Sequence, residues 1–216
     1  MSYFVKICGF TETNGLEAAL AAGVQSVGFV FDPSPRRLDY DTARRLMAMV
    51  PDHVENVAVV GRPNERLLLE IWHALKPDCL QVMADAMPKG ELADRLPLLP
   101  AFPDGPDLHR QVDAYLARKK SAETQVLADS AAPGTGVLTD WNRVAGLRSR
   151  CRLILAGGLT PRNVAEAIRQ VKPWGVDLCS GVESSPGVKD PSLIEMFMTA
   201  VQSSTHADNG AKASEK

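Results

Sequence analysis

Two short apolar runs near the C-terminus end in glycine just where a helix or loop should begin. They read Leu153-Ile154-Leu155-Ala156-Gly157-Gly158-Leu159-Thr160-Pro161 and Gly175-Val176-Asp177-Leu178-Cys179-Ser180-Gly181. Glycine lets backbone N–H groups approach an anion closely, and a following helix N-terminus adds partial positive charge. Gly157, Gly158, Ser180 and Gly181 therefore read as a site for the phosphate of a small-molecule substrate. Cys8 ends the apolar run Val5-Lys6-Ile7-Cys8 and precedes Gly9. It is either a packed thiol or a thiolate base or nucleophile, the latter if positive charge lowers its pKa. Lys6 shares its side of the strand but lies one layer deeper. Asp129 closes Gln125-Val126-Leu127-Ala128. It reads either as a cap for the next turn or as a desolvated carboxyl suited to general acid work. Arg36 and Arg37 follow Asp32-Pro33-Ser34-Pro35. They are solvated side chains or a guanidinium fork for a substrate carboxylate. Gly134-Thr135-Gly136 lacks the Gly-Lys-Ser/Thr ending of a nucleotide loop and reads as a mobile loop over the site.

These groups need a frame that gathers them at one end. The chain alternates apolar strand runs at 4–8, 27–31, 54–60, 79–83, 98–102, 124–128, 152–156 and 174–179 with helical patterns at 12–22, 41–49, 65–75, 89–95, 108–118, 142–148, 162–171 and 192–201. Thr11 is the expected N-cap of the first helix and Gly23 its stop. Alternating strands and helices imply a parallel sheet with helices outside. Eight such units predict an α/β fold, a compact single-domain (β/α)8 barrel over residues 1–203, whose site lies at the C-terminal strand ends. The fourth and fifth units carry the weakest patterns. Residues 204–216 are polar and without apolar period, and are expected to be disordered.

Composition narrows the function classes. The chain has 216 residues, 45% hydrophobic and 23% charged, with a formal net charge of −2. That balance offers no global field for nucleic acid or an anionic membrane. No apolar run is long enough to span a bilayer, and the N-terminus lacks the pattern of a secretory signal. The expectation is a cytoplasmic protein, monomer or homodimer, acting on a phosphorylated small molecule. Cysteines at 8, 79, 151 and 179 form no CxxC pair, and the histidines at 53, 73, 109 and 206 are scattered. No metal site is expected, and each cysteine beside an apolar strand defaults to a small buried hydrophobe.

The motifs together resemble the phosphoribosylanthranilate isomerase family of tryptophan biosynthesis. The segments are Val5-Lys6-Ile7-Cys8-Gly9, Gly28-Phe29-Val30-Phe31, Ser34-Pro35-Arg36, Asp129-Ser130 with Gly134-Thr135-Gly136, and Thr139-Asp140-Trp141. The longest are 155–165 and Gly175-Val176-Asp177 through Lys189-Asp190. The resemblance implies a cofactor-free Amadori rearrangement of an aldose to a ketose, giving a carboxyphenylamino-deoxyribulose phosphate. It assigns Asp129 as general acid, Cys8 as general base, Arg36 to the anthranilate carboxylate, and Gly157, Gly158, Ser180 and Gly181 to the phosphate. Two segments depart from the family pattern: Gly61-Arg62-Pro63 replaces an apolar strand end, and Met83 stands where histidine is usual. Alternatives are a diverged paralogue isomerising another phosphorylated aminosugar and a non-catalytic phosphate-binding barrel. Under the isomerase reading Met83 packs against the aromatic ring and Arg62 assists Arg36.

Overall fold

The computed structural model describes residues 3–119, 121 and 123–213, with side chains as far as residue 204. Eight parallel strands close a barrel in sequence order: β1 (Phe4–Cys8), β2 (Ser26–Val30), β3 (Glu55–Val59), β4 (Cys79–Met83), β5 (Leu98–Pro103), β6 (Gln125–Asp129), β7 (Arg152–Leu155) and β8 (Gly175–Leu178). Each is followed by its helix: α1 (Thr13–Ala21), α2 (Tyr40–Met47), α3 (Glu65–Leu75), α4 (Glu91–Arg95), α5 (Leu108–Lys119), α6 (Trp141–Ala145), α7 (Val164–Val171) and α8 (Pro191–Ala213). The (β/α)8 architecture is thus the expected one. The registers Lys6↔Asp177 and Ile7↔Leu178 join β1 to β8 and close the ring.

Strand alternation sorts the side chains into two cores. Val5, Ile7, Phe29, Leu80, Val126, Leu153 and Val176 face outward and pack with Leu16, Leu68, Ile71, Val112 and Ile168 from the helices. Burying each such Leu, Ile, Val or Phe contributes about 1.5–3 kcal/mol. The opposite faces fill the barrel with Leu99, Ala101, Leu127, Ile154 and Ala156, with Phe4, Cys79, Met83 and Trp174 packed against them. Phe4 stacks on Trp174 at 4.6 Å between ring centroids, plugging the end away from the site. Charged residues share this interior on β1 and β8, so the filling grows polar towards Cys8 and the glycine turns.

Local details follow side-chain chemistry. Asp39, Asn64 and Asp140 cap α2, α3 and α6 by accepting from backbone N–H groups, each such cap stabilising by about 1 kcal/mol. The Thr11 cap is not formed. Glu12 holds the N-cap position of α1 with no side-chain cap bond, because the Thr11 hydroxyl is engaged elsewhere, donating to Gly187 O at 2.6 Å. Gly23 does end α1, at φ +82. In the weakly patterned fourth and fifth units, α4 spans five residues. Pro100 and Pro103 leave β5 without two backbone donors. The last helix passes the expected boundary at 203: the Ser203 and Ser204 hydroxyls turn back onto Thr199 O and Val201 O, and the backbone stays helical to Ala213. Side chains from 205 and residues 214–216, where disorder was expected, lie outside the described residues. Among the described residues no helix is long and apolar enough to cross a membrane.

Candidate active site

Cys8 is the last residue of β1 and is buried, on the same inward face as Lys6. Lys6 is fully buried and donates to Asp177 Oδ1 at 2.8 Å, one layer below the thiol. Burial works against the Lys6 charge, but Asp177, together with Cys8, outweighs it and keeps the ammonium. The Cys8 thiol is lowered to about 7. The main cause is a hydrogen bond with the thiol of Cys179; burial opposes it, and the Lys6 and Lys189 ammonium groups help. Cys179 shifts the other way, well above the usual thiol range, because its proton is held against Cys8 and because it is buried. Of the two thiols, Cys8 is therefore the one that ionises more readily.

A short hairpin after β8 completes this environment: β9 (Glu183–Ser185) paired antiparallel with β10 (Val188–Lys189). Lys189 is fully buried; its Nζ donates to Cys179 O at 2.9 Å and Glu183 Oε1 at 2.7 Å, and lies 3.6 Å from Cys179 Sγ. Arg36 meets Glu183 bidentately, Nε at 2.8 Å and Nη2 at 2.7 Å. Burial would raise the Glu183 pKa, but Arg36 and Lys189 hold it below the usual carboxylate range. The arginine fork expected for a substrate carboxylate is thus occupied by Glu183, which aims the guanidinium across the mouth and leaves Nη1 towards Gly134. Glu183, Lys189 and Cys179 were missed as site residues. Their signal was in the Ser180–Lys189 stretch itself, which places one acid and one base around a glycine turn at a strand end.

Asp129 ends β6, separated from β1 by β7 and β8 around the ring. Its Oδ1 accepts from Ser130 N at 2.7 Å, so it does cap the next turn, yet it also lines the cavity at the strand ends. Burial, reinforced by the Asp177 carboxylate, raises its pKa to about 6 against the Ser130 hydrogen bond and Lys6. A carboxyl so placed still holds a proton in about half the molecules near pH 6, where an ordinary aspartate is ionised.

Gly157, Gly158, Ser180 and Gly181 line this same cavity of about 40 Å³ with Asp129, Asp177 and Cys179. Gly157 and Gly158 have φ +87 and +65, the left-handed region. A Cβ on Gly181 would collide with Leu159 O, so glycine there lets the β7 and β8 turns touch. Asn163 braces the first turn, its Nδ2 donating to Gly158 O at 3.0 Å and its Oδ1 accepting from Thr160 N at 2.8 Å. The Gly134–Gly136 loop lies over these turns: a Cβ on Gly158 would stand 2.8 Å from Gly136 O. Thr139 anchors the loop end through a hydrogen bond to Ala156 O at 2.7 Å.

The two departures from the family pattern lie elsewhere on the mouth. Met83 ends β4, beside Ala101 of β5, and packs against the interior core. Gly61 N donates to Asp32 Oδ2 at 2.5 Å, tying the loops after β2 and β3. Arg62 is exposed and pairs with Asp85 at 3.0 Å, so it is not joined to the Arg36 cluster.

Residues 5–200 match the family model described as N-(5'phosphoribosyl)anthranilate (PRA) isomerase. An N-(5'-phosphoribosyl)anthranilate isomerase of Rhodopseudomonas palustris (strain HaA2) is 39% identical over 94% of this chain and 98% of its own. Among solved structures, phosphoribosyl anthranilate isomerase from Thermotoga maritima superposes with a TM-score of 0.80 at 31% identity, covering 94% of this chain and all of that one. A phosphoribosyl anthranilate isomerase solved in complex with reduced 1-(o-carboxyphenylamino)-1-deoxyribulose 5-phosphate gives a TM-score of 0.78 at 31% identity, with 94% and 100% covered.

Proposed function

This chain belongs to the N-(5'-phosphoribosyl)anthranilate isomerase family, and on that footing we propose how its own residues carry the reaction. It is an isomerase of tryptophan biosynthesis, converting N-(5'-phosphoribosyl)anthranilate to 1-(2-carboxyphenylamino)-1-deoxyribulose 5-phosphate. The phosphate rests between the Gly157-Gly158 and Ser180-Gly181 turns. Asp129, protonated, gives its proton to the ring oxygen as the ring C–O bond breaks and the nitrogen lone pair forms an iminium. The iminium acidifies the adjacent C–H, and the Cys8 thiolate removes that proton. The resulting enolamine becomes the ketone as its O–H proton passes to the Asp129 carboxylate and the Cys8 thiol returns a proton to the former anomeric carbon, which restores both groups. Arg36, aimed by Glu183, offers Nη1 to the anthranilate carboxylate.

The observation that carries this reading is the pair of opposite pKa shifts at one cavity mouth: Asp129 up to about 6, Cys8 down to about 7. Between those values a fraction of the molecules carries protonated Asp129 and the Cys8 thiolate together, the combination that ring opening and C–H abstraction need. Every group named comes from one chain, so monomer and homodimer both satisfy it. We place the enzyme in the cytoplasm, where reducing conditions preserve a thiolate base. Loss of phosphoribosylanthranilate fluorescence with purified protein tests the activity directly, and growth of a tryptophan auxotroph lacking this isomerase tests it in cells. Turnover in the parent that survives in Cys8→Ser within a factor of about three would remove Cys8 as base, since losing a general base costs about 10²-fold or more.

A further inference from the structure

The β1–β8 ladder pairs Lys6 with Asp177 and Ile7 with Leu178. One residue past that pairing, Cys8 ends β1 and Cys179 leaves β8, and the two thiols are hydrogen-bonded to each other. Side chains two apart share a face, so both cysteines follow Lys6 and Asp177 into the barrel. Neighbouring strands run about 4.8 Å apart, inside the Cα window of roughly 4.4–6.8 Å that a disulfide accepts. Cys179 Sγ reaches the residue next to Cys8: a Cβ on Gly9 would meet it at 2.8 Å. Cys179 also lines the cavity that holds Asp129 and the glycine turns. That space, about 40 Å³, exceeds the roughly 10–15 Å³ that one water needs, so a peroxide-sized molecule fits beside Cys179, the hydrogen-bond partner of Cys8.

We propose that Cys8 and Cys179 form an oxidisable dithiol, which hydrogen peroxide converts reversibly to a disulfide at the barrel mouth. The Cys8 thiolate attacks one peroxide oxygen: an S–O bond forms, the O–O bond breaks, and hydroxide leaves to become water. The Cys179 thiol then attacks the sulfenic sulfur, losing its proton as the S–S bond forms and the S–O bond breaks, and a second water departs. Two thiols are oxidised and one peroxide is reduced to two waters. Lys6 and Lys189 favour the first step by sustaining the thiolate. The other two cysteines are poor competitors. Burial pushes the Cys79 thiol to about 12 at the far end of β4. It pushes Cys151 to about 11, outside the barrel, where its Sγ faces Leu147 O at 3.6 Å.

The disulfide rests on strand geometry alone; its effect on turnover rests on Cys8 being the base. The test treats the full chain with hydrogen peroxide after removal of reductant, alkylates free thiols, and maps peptides by mass. The expected result is loss of two hydrogens, a cross-link joining the Cys8 and Cys179 peptides, and turnover that falls with the cross-link and returns with dithiothreitol. The Cys79→Ser and Cys151→Ser proteins keep the cross-link, and Cys179→Ser loses it and passes to sulfinic acid at Cys8. Stepwise oxidation of Cys8 in the parent without the cross-link, at the rate seen in Cys179→Ser, overturns the proposal. A cross-link formed with turnover intact upholds the pair and removes Cys8 from the reaction instead.

Discussion

The arc of the barrel from β6 through β8 to β1 is built differently from the arc β3 to β5. In the first, buried charges are knit together: Lys6 to Asp177, Lys189 and Arg36 to Glu183, with Cys8, Cys179 and Asp129 at the rim. In the second, Arg62 and Asp85 pair in solvent, β5 carries two prolines, and α4 is five residues long. A groove of about 630 Å³ opens there between α4 and α5, lined by Met87, Phe102, Tyr115 and Arg118 among others. The charged arc holds its groups by partners whose removal strands a buried charge. The other holds its shape by ordinary packing. Divergence from the family pattern at 61–63 and 83 falls in this second arc.

Breaking the charged arc should have the largest effects. Asp129→Asn keeps the shape but has no acid proton, and we expect kcat to fall about 10²–10⁴-fold with KM little changed. A fall in affinity at constant kcat would make Asp129 a binding residue. In the parent, kcat/KM should be bell-shaped with limbs near the two shifted values, about 6 and about 7. The base is lost as Cys8 protonates at low pH, and the acid as Asp129 ionises at high pH, so the optimum lies between them. Asp129→Asn should abolish one limb of the bell. Lys6→Met strands Asp177 and should cost about 3–5 kcal/mol in chemical denaturation. It also withdraws a positive charge from Cys8, raising its pKa and moving the limb near 7 to higher pH. An unmoved profile would show that Lys6 only supports the fold.

The packed arc sharpens the contrast through small effects. Met83→His restores the usual family residue, and turnover should shift by no more than about tenfold, equivalent to about 1.4 kcal/mol in the barrier. A large gain on phosphoribosylanthranilate would instead point to a diverged paralogue. Arg62→Ala removes an exposed pair and should change stability by about 0–1 kcal/mol, with kcat and KM as in the parent. Loss of substrate affinity there would join Arg62 to the Arg36 cluster after all.

Much of the frame was legible because it repeats. Eight apolar runs and the helices between them keep their order even where an end is misplaced, as at α6 and α8. The hairpin of β9 and β10 was not legible, since strands of three and two residues carry no period. The position of Cys8, Asp129 and the glycine turns at strand ends could be read from the sequence alone. Arg36 was harder. Its partner Glu183 lies 147 residues away, and one residue's type does not reveal that its fork is already taken. Cys179 read as a small hydrophobe because its neighbour across the β1–β8 seam is invisible along the chain. One usable clue went unread: Val-Lys-Ile and Val-Asp-Leu each bury one charge in an apolar strand, and opposite signs in such settings call for each other.

The Lys6–Asp177 pair spans 171 residues of chain, and this has a consequence for how the protein is made. Contacts of such separation form late, because a long loop must close before they reward it. During synthesis the first strand emerges with an ordinary thiol, since Lys189, Cys179 and Asp177 arrive only with the last unit. Cys8 acquires its reactivity when the ring shuts. Its alkylation rate during refolding is therefore a clock for that final step, and a fragment ending before residue 175 should show a slow, unperturbed thiol throughout.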